Sequence, residues 1–225
     1  VLLTPEQLDR KMYAVTLRHW NNMTDPEDGH RLLEEYYSYY GGIDSDEIIK
    51  RTKDMTSLMS LVVERMTGEF TCSMLMNEFV LPPGERRLFR VIDDLSSVPA
   101  VAPDGAEGVY KVDLDKIRHQ IASLHFDILG EQLDDNDPEV TRTLELFTAI
   151  WQMRINDDNF SDTPFKNNPV TEMDDLSVYN EHCNISNSSD VWDKQAWPYY
   201  NPEQTLRAWQ GVIVYLMSDF KFIYR

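Results

Sequence analysis

The sequence predicts a mainly α-helical protein, a single irregular bundle of about six to seven helices with a long aromatic-rich loop over it. Three observations carry that prediction. One helix-start grammar recurs at Thr4-Pro5-Glu6-Gln7, Asp25-Pro26-Glu27-Asp28, Asp137-Pro138-Glu139 and Asn201-Pro202-Glu203-Gln204. The leading side-chain oxygen caps free amides, proline at the first helical position forfeits no hydrogen bond, and the following acids sit at the positive end of the helix dipole. Between these starts, apolar residues return at spacings of three and four. The closing stretch is also heavily apolar, with Leu206, Trp209, Val212, Ile213, Leu216, Phe220 and Ile223.

Taken in order, the first helix is expected from Pro5 to near Trp20, with Leu8, Met12, Val15 and His19 as its inward stripe. The second should run from Pro26 to about Tyr40 and stop at Gly41-Gly42. A third starts at Asp44 or Ser45 and ends near Arg51. A long fourth spans Asp54 to Phe79, with Leu58, Leu61, Val62, Arg65, Met66, Phe70 and Leu75 marking its turns. Pro82-Pro83-Gly84 closes it, and Glu85 to Asp94 reads as a short helix. Residues 95–112, rich in Pro, Gly, Ser and Ala, form a connection with a short strand at Val109–Val112. Asp113 caps a helix closed by Gly130, and another runs from Pro138 to about Ile155. Residues 156–200 form the long loop, and the last helix runs from Pro202 to about Phe222. The whole reads as one domain, 1–225, with a division into 1–95 and 110–225 as the alternative.

The 225 residues carry 39 Asp+Glu against 21 Lys+Arg, a net charge of -18. That excess argues against nucleic acid and anionic lipid surfaces, which need clustered cations, and favours cationic partners or divalent ions. No apolar run approaches the roughly 20 residues that cross a bilayer. The sequence opens on Val1, which points to a removed leader or to a piece of a longer chain.

The sequence holds few signs of chemistry. Asp134 and Asp135 lie in an acidic turn before a helix, and Asp157, Asp158 and Asp162 lie in the long loop. These are hard oxygen ligands of the kind calcium takes, without the spacing of an EF-hand loop. The histidines at 19, 30, 119, 125 and 182 lack zinc-site spacing and read as structural. No nucleophile elbow, phosphate loop or dinucleotide fingerprint is present. Met55, Met59, Met66, Met74 and Met76 read as core filler. Asn-x-Ser/Thr sites occur at Asn22, Asn159, Asn184 and Asn187. Cys72 and Cys183 are a disulfide candidate, and two buried thiols fit the same spacing. No CxxCH motif attaches haem within these residues.

Several segments resemble an uncharacterised family of secreted bacterial proteins, from planctomycetes and some marine bacteria, that often carry a c-type cytochrome domain. They are Tyr40-Gly41-Gly42-Ile43-Asp44-Ser45, Glu85-Arg86-Arg87-Leu88-Phe89, Leu129-Gly130-Glu131 with Asp137-Pro138-Glu139, and Arg207-Ala208-Trp209 leading to Tyr215–Phe220. The resemblance is to the C-terminal, non-haem part of such proteins. It implies export, a periplasmic or extracellular setting, and haem on a partner domain or chain. It implies no catalytic residue.

These readings lead to a non-catalytic structural or interaction subunit of an exported, cytochrome-associated assembly. Its working surfaces would be the acidic exterior and the long loop, where Trp192, Trp197, Tyr199 and Tyr200 are the interface candidates. Two other readings stay open: an extracytoplasmic hydrolase-type domain with a carboxylate or metal site under loop 156–200, and a virion assembly adaptor.

Overall fold

The computed structural model describes residues 1–20, 30–43, 50, 54–79, 81–92, 114–155 and 205–224. The expected helix starts at Pro26 and Pro202, the helix near 44–51, the strand at 109–112 and the loop 156–200 lie outside them. So do the four Asn-x-Ser/Thr sites. The described residues are mainly helical, as the sequence predicts, with seven α-helices and no strand beyond an isolated antiparallel bridge between Leu2 and Tyr224. They form two compact units that interleave along the sequence.

The first unit comprises residues up to Met74 together with the chain from Ile213 onward. Helix α1 (Pro5–Thr16) starts where the capping grammar places it. Thr4 Oγ1 accepts the Gln7 amide at 3.0 Å, and Gln7 Oε1 accepts the Thr4 amide at 3.0 Å. The helix ends before the expected Trp20. Leu17 adopts a left-handed conformation (φ 59°) and donates its N–H to Tyr13 O, while the Thr16 hydroxyl bonds back to Met12 O. A leucine in this conformation costs roughly 1–2 kcal/mol, which the bonds of Leu17 N to Tyr13 O and Arg18 N to Thr16 Oγ1 help to offset. Leu8 and Met12 are fully buried.

Helix α2 (Arg31–Glu34) is a single turn rather than the long helix expected to reach Tyr40. The Tyr36 and Gly42 amides reach five residues back, to Arg31 O and Tyr37 O, which breaks the α-helical ladder. Tyr36 instead stacks on Trp20 at 4.9 Å. Gly41 (φ +81°) ends the segment, with Met59 Cε packed where a Cβ would stand.

Helix α3 (Ser57–Phe79) begins three residues after the expected Asp54 and ends at the expected Phe79. It buries Met59, Val62, Val63, Met66, Phe70, Cys72 and Met74, so the described part of the methionine stripe is mostly core. At the other end of the sequence, the expected last helix is broken. Its described part is α6 (Leu206–Ser218), a break at Asp219, then α7 (Phe220–Ile223), capped by Asp219 Oδ1 on the Lys221 amide. Lys11 Nζ donates to Lys221 O and Phe222 O at 3.0 and 2.8 Å, and burial lowers its pKa. The Leu3 amide adds a bond to Ile223 O at 3.0 Å. A largely apolar cavity of about 520 Å³ is lined by Met55, Val63, Phe220 and Ile223 among others.

Among the described residues, the second unit runs from Leu75 to Val212. It includes a 3-10 turn (Pro83–Glu85), α4 (Leu114–Leu124), a π-helical turn (His125–Leu129) and α5 (Pro138–Ile155). Asp137 Oδ1 accepts the Glu139 amide at 2.8 Å, so α5 starts where its sequence predicts. Trp209 of α6 is wholly buried between Phe89 (5.3 Å, edge-on) and Phe147 (4.5 Å). Gly211 lets Ile150 Cδ1 approach the α6 backbone where a side chain would collide.

The helix expected over Glu85–Asp94 is corrected. Residues 86–92 are irregular, and buried side chains take their amides and carbonyls instead. Glu78 accepts the N–H groups of Arg87, Leu88 and Phe89 at 3.1, 2.8 and 3.2 Å. Gln120 accepts the Val91 amide at 3.0 Å and donates to Leu88 O at 2.7 Å. Arg86, itself buried, donates to Leu81 O and Ile92 O and covers the Phe79 ring.

Candidate functional site

Helix α1 places an acid inside its own buried stripe. Pro5, Leu8, Asp9, Met12 and Thr16 all face inward, and Asp9 is 2% exposed. A carboxylate taken out of water needs hydrogen bonds or opposite charge. Asp9 finds two imidazoles. Asp9 Oδ2 lies 3.0 Å from His19 Nδ1 and 2.9 Å from His30 Nδ1, and Oδ1 lies 3.1 Å from His19 Nδ1. An ionised carboxylate only accepts, so this network places a proton on Nδ1 of both rings.

Two local devices bring the histidines together. The left-handed turn at Leu17 reverses the chain, so that His19 folds back over α1 and stacks on Tyr13 (4.5 Å, 15°). The Arg31 amide donates to Trp20 O at 2.7 Å, fastening the residue after His30 to the residue after His19. Below them, Glu69 of α3 accepts Trp20 Nε1 at 3.1 Å and Arg31 Nη1 at 2.5 Å, and pairs with Arg65. The imidazoles end with centroids 3.8 Å apart and tilted by 56°. Their side chains are 28% and 42% exposed, so the cluster has a buried floor and an open rim. Asp9, His19 and His30 form a group whose ligand atoms lie within 4.8 Å of one another, the one such group of three or more among the described residues.

A second histidine network lies in the other unit. His125 opens the π-helical turn and is 1% exposed. Its Nδ1 lies 3.0 Å from Glu131 Oε2, and its Nε2 lies 3.0 Å from Thr143 Oγ1. The Thr143 hydroxyl also bonds Glu139 O at 2.9 Å. Carboxylate, imidazole and hydroxyl follow in the order of a nucleophilic relay, but the hydroxyl is buried in a helix and offers nothing to a substrate.

The residues singled out from sequence fall differently. Asp134 spends Oδ1 on the Asn136 amide at 2.8 Å, and Asp135 pairs with the exposed His119 at 3.1 Å. Asp157, Asp158, Asp162, Trp192, Trp197, Tyr199, Tyr200 and His182 lie outside the described residues. Cys72 is buried on α3 and disulfide-bonded. Cys183 lies outside the described residues.

Comparison of the chain with protein-family models, with curated proteins and with solved structures finds no match. The Asp9 cluster is therefore read on its own chemistry. Sequence reasoning missed it because the three residues are brought together by the left-handed turn at Leu17 and the Trp20–Arg31 bond, which no spacing rule encodes. The available signal was Asp9 itself, an acid within the apolar stripe of α1.

Proposed function

We propose that the chain is a structural or interaction module of an extracytoplasmic assembly, with a c-type cytochrome as its partner. The observation that supports this most directly is the disulfide at Cys72, because disulfides persist in oxidising compartments and are rare where thiols are kept reduced. Cys183 is its proposed partner, since the chain has two cysteines. The choice of partner rests on charge and on the family resemblance. A net charge of -18 steers a basic protein by long-range attraction.

The test has two arms. Alkylation of the denatured, unreduced chain should label neither cysteine, and reduction should lower stability by about 2–4 kcal/mol. Titration with a basic c-type cytochrome should show binding at low ionic strength that fades as salt shortens the Debye length to about 8 Å. Free thiols in the native chain remove the compartment half of the reading. Absence of salt-sensitive binding removes the partner half.

A further inference from the structure

We propose that Asp9, His19 and His30 bind one divalent transition-metal ion of the zinc class, with the remaining coordination positions taken by water. This stands apart from the interaction role proposed above and does not depend on it.

The donor set selects the metal. Two imidazoles and one carboxylate suit zinc, cobalt, nickel or iron, whereas calcium and magnesium take oxygen ligands almost exclusively. The spacing also fits. Ligand atoms on a tetrahedral ion with bonds of about 2.05 Å stand about 3.3 Å apart, and on an octahedral ion about 3.0 Å. Asp9 Oδ2 lies 3.0 Å from His19 Nδ1 and 2.9 Å from His30 Nδ1, and the three ligand atoms all fall within 4.8 Å of one another. Metal binding replaces each N–H···O contact by a bent N–metal–O arrangement, and the χ2 torsion of histidine is broad enough to allow the ring to turn. Binding moves each Nδ1 proton to Nε2 or to solvent, so two hydrogen bonds are exchanged for metal–ligand bonds.

Burial divides the labour. Asp9 is held on the buried face of α1, so the anionic ligand is positioned before metal arrives. Among the described residues its partners are the two histidines, and no Lys or Arg there pairs with it. A divalent ion bound here would set positive charge directly against a buried carboxylate. The Tyr13 ring fixes one face of His19, while His30 faces solvent at the start of α2, where it makes no side-chain cap. An ion reaching the cluster from that side keeps water on its outer positions, as three-ligand sites do.

The experiment uses the full, oxidised chain stripped of metal by chelation, with Co²⁺ as spectroscopic probe and Zn²⁺ as competitor. One equivalent of Co²⁺ should bind with saturable visible absorption, and Zn²⁺ should displace it. Asp9→Asn, His19→Gln and His30→Gln should each weaken binding by at least roughly tenfold to a hundredfold. His119→Gln, which alters an exposed histidine paired with Asp135, should leave binding unchanged. Circular dichroism checks that each variant folds. His30→Gln changes a half-exposed residue, so it keeps the test decisive if Asp9→Asn unfolds. A wild-type chain without saturable Co²⁺ binding overturns the proposal, as does equal binding by the folded His30→Gln chain.

Discussion

Asp9 and Glu131 both hold a histidine by its Nδ1, yet the two regions do different work. His125 lies inside the second unit with both nitrogens engaged, one by Glu131 and the other by Thr143. Every polar atom there serves the fold. In the first unit the carboxylate is buried and the imidazoles are not. Both rings converge on the same oxygen, and their outer edges meet solvent. The difference lies in which member of the pair is taken out of water. Burying the histidine closes a network, whereas burying the acid and leaving the rings at the rim leaves donors that an incoming ion can recruit.

The largest effect sets the scale for that comparison. Trp209→Ala removes a wholly buried indole packed between Phe89 and Phe147. It should cost about 3–5 kcal/mol in chemical denaturation. A loss below about 1 kcal/mol would mean that the aromatic packing of the second unit carries little of its stability. Thr143→Val then tests the closed network. It keeps the shape but strands His125 Nε2 in a buried site, and should cost about 1–3 kcal/mol without altering metal binding. If it proves neutral, the His125 network is not closed by Thr143, and the contrast with Asp9 weakens.

The sequence carried the helical scaffold further than it carried either network. Thr4-Pro5-Glu6-Gln7 and Asp137-Pro138-Glu139 each encode a helix start within four residues, and the described starts of α1 and α5 follow them. The stripe expected for α3 holds only in part: Val62, Met66, Phe70 and Leu75 are buried, whereas Leu58 and Leu61 face solvent. What stayed hidden depends on side chains reaching across the chain. Glu78 takes the amides of residues 87–89 and so cancels a helix that their own pattern favours. Leu17, a residue with no preference for a left-handed turn, ends α1 early and so brings His19 over Asp9. Both events are announced only by an acid placed among apolar neighbours, Glu78 beside Phe79 and Asp9 beside Leu8.

The smallest effect keeps a pH response from being assigned to the wrong group. Tyr37 donates to Glu6 Oε1 at 2.6 Å, and its pKa is raised above 10.0 by that bond first, then by burial and by the Glu6 charge. Above pH 10 the folded chain therefore holds a proton that the unfolded chain has released. The stability from this contact is complete below pH 10 and is lost as pH rises through the raised value. Tyr37→Phe should flatten that alkaline fall in a pH series of melts. An unchanged slope would place the response elsewhere in the chain.

The bridge between Leu2 and Tyr224, with Lys11 bound to the carbonyls of Lys221 and Phe222, ties the order of assembly to the order of synthesis. A ribosome delivers Met74 roughly 140 residues before Ile213 emerges, a gap on the order of ten seconds at about 5–20 residues per second. During that interval Leu2, Leu3 and Lys11 await the segment they bond. The first unit therefore waits on residues far along the sequence, and a chaperone or holdase has that interval in which to engage it.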